Sequence, residues 1–185
     1  MRASTTRAPS DTQNRLNQAR LALRLAEERT GLRDCAALTV QRALPAAPSA
    51  WQGSGVLTLQ GSTTVLLAAL ALRQGATGWC GVIGGDGLGW CAATEVGLDL
   101  NRVLTVPTSL LDDASTPTVT AALLDGVDVL LIGAPVAERL RPQHRRRLLS
   151  RARGRGRLIL TPARWEGARI LQAGPLAPDT GTGNT

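Results

Sequence analysis

Short apolar runs alternate with longer helical or polar segments from residue 55 to residue 165. Five of these runs are continuous enough to predict strands of a buried sheet. They are Val56 to Leu59, Trp79 to Ile83, Arg102 to Val106, Val127 to Ile132 and Leu158 to Leu160. Because strands that alternate with helices form right-handed βαβ units, the pattern predicts an α/β fold with a mainly parallel central sheet flanked by helices.

Four segments between these strands have the spacing of helices. The first follows the first strand and ends near Gln74, and the second follows a glycine-rich turn and ends near Glu95. The third covers Thr116 to Leu124, and the fourth is an arginine-rich helix from Val136 to about Arg153. Leucines of the fourth helix are expected to face the core, while its arginines face outward.

The amino-terminal segment has a pattern of its own. Residues 1–10 predict a flexible arm, and a capping box predicts a helix over residues 11–31. One apolar stripe on this helix includes Leu16, Leu23 and Ala26. Prolines and a glycine separate the helix from the core predicted for residues 50–172, so the stripe either packs on its own domain or contacts a partner. Residues 173–185, rich in Pro, Gly and Thr, predict a disordered tail.

Charge is concentrated in one window of the chain. All 21 basic residues are arginines, and the net charge is +7. Eleven arginines lie between Arg139 and Arg169, where Glu166 is the only acid. This window fits the solvated face of a surface helix, and it also fits a patch that contacts DNA or an acidic partner. The candidate contact residues are Arg145, Arg146, Arg147, Arg151 and Arg153.

Other residue types exclude several functions. The cysteines have neither paired spacing nor a histidine cluster nearby, so we expect reduced, mostly buried thiols and no metal site; they are Cys35, Cys80 and Cys91. The amino terminus has no apolar run typical of a secretory signal, and the longest apolar stretch is too polar for a membrane span. We therefore expect a cytoplasmic protein. For the tryptophans, we expect Trp79 and Trp90 in the core, and Trp51 and Trp165 at a surface contact.

The first predicted strand and helix are joined where a nucleotide-binding fold carries its P-loop. That motif, G-x-x-x-x-G-K-[ST], cradles phosphates with backbone N–H groups, and its lysine and hydroxyl bind phosphate and magnesium. Here the connection reads Gly61-Ser62-Thr63-Thr64, which keeps one glycine and the hydroxyls. The loop is shorter, and the chain contains no lysine. A helix N-cap provided by Ser62 explains the same residues equally well.

Three segments, in the right order and spacing, resemble the RecA family. The first, Val56 to Ala71, is similar to the P-loop strand and helix of that family. The second, Glu95 to Leu104, is similar to the family's stretch K-L-G-V-D. The third, Gly126 to Gly133, is similar to the strand that ends in the Walker B aspartate. The resemblance covers about residues 50–165. It extends to the divergent actinobacterial RecA-like proteins called ImuA-prime, through Gly78-Trp-Cys and Gly97-Leu-Asp-Leu. It implies a RecA-like core.

The departures from RecA concern its catalytic groups. The P-loop lysine has no counterpart, and the Walker B aspartate position is Gly133. In the segment that supplies the water-activating glutamate in RecA, the one acid is Asp86, which falls early. Phosphoryl transfer depends on positioning and electrostatic stabilisation, so we expect neither an enzyme nor a bound cofactor.

The resemblance implies a function in damage-induced mutagenic translesion synthesis. It implies a noncatalytic adaptor, associated with the nucleoid upon damage, that binds the inactive Y-family-like scaffold ImuB and, through it, the error-prone C-family polymerase. The stripe Leu16, Leu23 and Ala26 is the predicted contact with ImuB or with a second copy of the chain. Any DNA binding is expected to be weak and salt-sensitive, because few aromatic residues are present to stack on bases. The alternative is a cell-division inhibitor like SulA, which binds the tubulin-like division protein.

Overall fold

The computed structural model describes residues 51–172, together with Gln18 and Ala22, which are helical and exposed. The predicted amino-terminal arm, the stripe residues Leu16, Leu23 and Ala26, and the predicted tail lie outside the described residues.

In the described range 51–172, six strands, all parallel, form one central sheet in the order β3-β2-β4-β5-β1-β6. The strands are β1 (Gly55–Gln60), β2 (Cys80–Ile83), β3 (Val103–Val106), β4 (Val129–Ile132), β5 (Leu158–Thr161) and β6 (Arg169–Gln172). Because β5 lies between β1 and β4, Leu158 pairs with Gly55 on one side and with Val129 on the other. The predicted α/β class, with a parallel sheet flanked by helices, is confirmed.

Within residues 51–172, five helices cover the two faces of the sheet. They are α1 (Thr63–Gln74), α2 (Trp90–Glu95), α3 (Thr116–Gly126), α4 (Ala134–Arg139) and α5 (Pro142–Gly154), with short 3-10 turns at Leu100–Arg102 and Thr108–Leu110. Side chains of α1 and α2 pack on one face, and those of α3, α4 and α5 pack on the other. This division follows from chain direction, since right-handed crossovers toward β3 and away from β3 place their helices on opposite faces.

Alternation along each strand builds two cores. In β1, Leu57 and Leu59 point to the layer of α1, whereas Val56 points to the layer of α5. The central strands β4 and β5 are buried at every position, which explains why they read as unbroken apolar runs. Each fully buried leucine contributes about 1.5–3 kcal/mol through removal of apolar surface from water.

The prediction of one arginine-rich helix from Val136 to Arg153 is wrong. Two helices occupy this region, and the chain is extended at Arg141, with φ −63° and ψ 153°. Pro142 causes the break because it lacks an N–H and disfavours helical geometry in the residue before it. The proline then starts α5, where its missing N–H costs nothing.

Three of the four tryptophan assignments are also wrong, whereas Trp90 packs against the core as expected. Trp51 and Trp165 are 2% and 4% exposed and belong to the two cores, whereas Trp79 is 43% exposed and Trp90 is half-buried. Trp51, in a 3-10 turn before β1, and Trp165, in the segment after β5, contribute their side chains to the two cores. At Trp79 the backbone is held by the Asp128 carboxylate, which accepts from the Trp79 N–H at 2.8 Å while the side chain stays outside.

The cysteines are only partly as expected. Cys80 is buried in β2, and burial raises the pKa of its thiol to about 12. Cys91 is exposed on α2, contrary to the expectation of mostly buried thiols, and Cys35 lies outside the described residues. Within the part of the chain that the structure describes, every helix is too short or too polar to cross a lipid bilayer.

Candidate functional site

The connection from β1 to α1, where a P-loop belongs, contains only two residues, Gly61 and Ser62. Ser62 is extended, and its hydroxyl accepts a hydrogen bond from the Val65 N–H at 3.4 Å, so it is the N-cap of α1. Thr63 and Thr64 already belong to the first turn of the helix. A connection this short cannot wrap around a phosphate, because the P-loop motif places four residues between its two glycines. The N-cap interpretation of these residues is confirmed.

The Walker B position, Gly133, follows β4 and is pressed against the turn that follows β2. Its N–H donates to the carbonyl of Ile83 at 2.8 Å. A Cβ atom added at Gly133 would lie 2.0 Å from the carbonyl oxygen of Gly84, closer than any side chain tolerates. Gly84 itself has φ +69°, and its N–H donates to the carbonyl of Val106 at 2.9 Å. Backbone contacts therefore tie together the carboxyl ends of β2, β3 and β4.

This contact lies where ligands usually bind in such folds. In an open parallel sheet, the ligand crevice opens outside the carboxyl ends of two neighbouring strands whose connections leave on opposite faces. Here those strands are β2, followed by α2, and β4, followed by α4. Gly84 and Gly133 fill the space between them with main-chain atoms, and α4 begins at Ala134, immediately after the contact.

Asp86, the acid of the glycine-rich turn after β2, holds two loops together. Its carboxylate accepts from the backbone N–H of Thr108 at 3.1 Å and also from the Thr108 hydroxyl. These hydrogen bonds, the side-chain one first, lower the pKa of Asp86 below its usual value. The carboxylate therefore links the turn after β2 to the loop after β3, and it borders a small cavity of about 140 Å³ that also includes Trp90.

Arg145, one of the candidate contact residues, is folded into the protein. Its guanidinium donates to the carbonyls of Ala137 at 2.6 Å, Leu140 at 3.0 Å and Arg164 at 3.1 Å. The same group lies over the ring of Trp165, 5.6 Å from its centroid, within range of a cation–π interaction. Arg145 thus ties α4, α5 and the segment after β5 together.

Most of the other candidate arginines also have partners within the chain. Arg146 pairs with Glu166 at 3.1 Å, and Arg153 donates to the carbonyl of Gly167 at 3.2 Å. Arg151 forms two hydrogen bonds with the carboxylate of Asp125, and the one from its Nε measures 2.7 Å. Arg147 is the exception within the described part of the chain, and its side chain is exposed on the rim of a groove. The five arginines therefore do not form one continuous patch.

That groove lies between α3 and α5 and encloses about 830 Å³. It is lined by Asp113, Ala114, Pro117, Thr118, Ala121, Ala122 and Asp125 from the α3 side, and by Arg139, Arg141, His144, Arg147, Leu148 and Arg151 from the α5 side. The sequence analysis missed most of these residues. The signal that identifies them is helical spacing, since the α3 residues recur every three or four positions and are small.

The strand order, the two helical layers and the capped start of α1 define a RecA-like α/β domain in which the phosphate-binding turn is replaced by a plain helix N-terminus. The chain belongs to the family of the MT3502 N-terminal domain, whose family model matches residues 42–167.

The chain is also similar to two known proteins. Uncharacterized protein Rv3395c of Mycobacterium tuberculosis is 32% identical over 125 residues, which is 67% of this chain and 59% of that protein. The chain therefore spans less than two thirds of the length of this relative. The crystal structure of SulA from Pseudomonas aeruginosa superposes with a TM-score of 0.44 and 18% identity, over 63% of this chain and 96% of that chain.

Proposed function

We propose that this protein is a noncatalytic adaptor of damage-induced mutagenic translesion synthesis, similar to the ImuA-prime proteins. It binds ImuB and, through ImuB, supports the error-prone C-family polymerase. It works in the cytoplasm and associates with the nucleoid upon damage. A fold of this type hosts many functions, so the proposal depends on the site.

The observation that supports an adaptor is the contact between Gly84 and Gly133. A RecA-like ATPase needs an acidic side chain at the end of β4 to hold magnesium, and it needs space for the metal beside that side chain. At Gly133 even a methyl group would collide with the Gly84 carbonyl. At the same carboxyl end of the sheet, β1 is followed by a turn of only two residues, and the chain contains no lysine to reach the phosphates. What remains is a rigid platform with exposed helices.

The first prediction concerns nucleotide. Isothermal titration of the purified chain with ATP and magnesium is expected to give no saturable heat in the micromolar range, and ATP hydrolysis is expected to stay at background. The physical reason is that the P-loop turn, the lysine and the magnesium-binding acid, which together bind and stabilise the phosphates, are all absent. RecA titrated in the same buffer is the positive control. Saturable ATP binding with a micromolar dissociation constant would contradict the proposal that the adaptor is noncatalytic.

The second prediction concerns ImuB. The full chain is expected to co-purify with ImuB, and the double variant Leu16→Asp with Leu23→Asp is expected to lose this binding. Burial of two leucines supplies roughly 3–6 kcal/mol before the costs of association, so two buried charges should be decisive.

The control for the ImuB experiment uses residues that are helical and exposed. Gln18→Asp with Ala22→Asp places two carboxylates on the same segment but away from the two leucines, and binding should persist. Circular dichroism checks that the core is intact in both variants. Unchanged ImuB binding by the stripe variant means that this helix is not the contact, and an unfolded core means that the stripe packs on its own domain. Failure of the unmodified chain to bind ImuB, combined with capture of the tubulin-like division protein, favours the cell-division alternative.

A further inference from the structure

We propose that the groove between α3 and α5 binds an acidic amphipathic helix of a protein partner. This goes beyond the proposed function, because it describes a docking surface on the α/β core that depends neither on ImuB nor on the amino-terminal helix.

The shape of the groove fits a short helix. Its α3 wall carries Ala114, Pro117, Ala121 and Ala122, whose small side chains leave a channel, and Leu148 of α5 contributes apolar surface. The helical part of the α3 wall extends from Pro117 to Asp125, and at a rise of 1.5 Å per residue this corresponds to roughly 12 Å, or about two helical turns. Helices that bind in such grooves insert apolar anchors spaced three or four residues apart.

The charges of the groove fit an acidic ligand. The side chains of Arg141 and Arg147 are exposed on its rim and have no ionic or hydrogen-bonding partner within the described part of the chain. Asp125, on the opposite wall, is already neutralised, because it pairs with Arg151 and also with Arg155 at 3.0 Å. The remaining acid is Asp113, so the groove is cationic overall. Two guanidinium groups without partners are therefore available to carboxylates of a ligand.

The same features favour a peptide over nucleic acid. Among the described residues that line the groove, His144 provides the one small aromatic ring and none is Trp, Tyr or Phe, so bases have few stacking platforms there. A phosphate backbone carries negative charge along its whole length and would meet Asp113 at one end of the groove. An amphipathic helix instead places its apolar side chains against the alanines of the α3 wall and directs its acidic residues only toward the arginines.

The probe for this proposal is a displayed library of random 16-residue peptides, selected on the full-length chain at physiological salt. Selected peptides are expected to combine an apolar stripe at helical spacing with flanking Asp or Glu. A selected peptide, fluorescently labelled, then reports binding by anisotropy. The double variant Arg141→Glu with Arg147→Glu is expected to weaken binding by about tenfold or more, since it reverses the charges that face the peptide.

The matched control reverses two arginines outside the groove. Arg153→Glu with Arg164→Glu makes the same change in net charge at exposed positions that do not line the groove. Binding should stay within about twofold, because surface charges about a Debye length or more from the groove are largely screened at this salt concentration. A steric variant, Ala122→Gln, places a longer side chain on the α3 wall, at an exposed helical position, and so fills part of the groove without altering its charge. It should abolish peptide binding while leaving any binding of a 20-residue oligo-dT unchanged.

Three results would overturn the proposal. The first is a selection that enriches no acidic amphipathic sequence. The second is peptide binding that tolerates both the arginine variant and Ala122→Gln. The third is oligo-dT that binds more tightly than any selected peptide and responds to Arg141 and Arg147, which identifies the groove as a nucleic-acid site.

Discussion

Replacing Gly133 with alanine is expected to lower the free energy of unfolding by about 3 kcal/mol or more, a large effect for one methyl group. The added Cβ would lie 2.0 Å from the carbonyl oxygen of Gly84, which is main chain and cannot rotate away. Relief requires separation of the carboxyl ends of β2 and β4, and this strains the hydrogen bond from the Gly133 N–H to Ile83. Urea denaturation followed by circular dichroism measures the loss as a shift in the midpoint.

The control for this variant is a glycine with free space around it. Gly154 lies in α5, and a Cβ added there meets nothing within 4 Å. Gly154→Ala should leave stability unchanged or raise it by up to about 1 kcal/mol, because alanine favours helix. If Gly133→Ala is as stable as Gly154→Ala, the crevice is not closed as described. The aspartate variant of Gly133 would then be the way to look for restored magnesium-dependent ATP binding.

The contact at Gly133 also illustrates what the sequence can and cannot predict. The apolar runs predict β1, β2, β4 and β5 because strands buried on both faces leave an unbroken hydrophobic signature. They also predict the edge strand β3, although it is half exposed, because three of its four residues are aliphatic. They miss β6 because this edge strand is largely exposed and Ile170 is 58% exposed. The missing lysine is visible in the sequence alone. The close contact of Gly84 with Gly133 is not, because it depends on how two strand ends distant in sequence are brought together.

The arginine-rich region shows the same division. Its helical spacing and its charge can be read from the sequence, and Pro142 carries the signal for the break between α4 and α5. The interactions of each arginine side chain cannot be predicted from the sequence, because they depend on partners from other elements. Asp125 comes from α3 and Glu166 from the segment after β5, and they neutralise Arg151 and Arg146 respectively. The groove itself requires knowledge that α3 and α5 are neighbours on one face of the sheet.

Replacing Arg145 with alanine is expected to destabilise the protein by about 2–3 kcal/mol, although Arg145 lies in a run that looks like a solvated surface. The loss removes three hydrogen bonds from a charged donor to the carbonyls of Ala137, Leu140 and Arg164. It also uncovers the buried ring of Trp165, on which the guanidinium lies. Partial exposure of these bonds to water keeps the estimate well below the sum of their separate contributions.

Arg147→Ala is the matched control, because Arg147 is two positions away on the same helix and its side chain has no partner within the described residues. Its unfolding midpoint should stay close to that of the unmodified chain, within the roughly 0.5 kcal/mol typical of surface substitutions. Arg145→Lys should recover only part of the stability, since one ammonium cannot match the planar, forked geometry with which a guanidinium reaches several carbonyls. Equal unfolding midpoints for the Arg145 and Arg147 alanine variants would mean that Arg145 is an exposed surface charge that is available to a ligand. It would then not hold α4, α5 and the segment after β5 together.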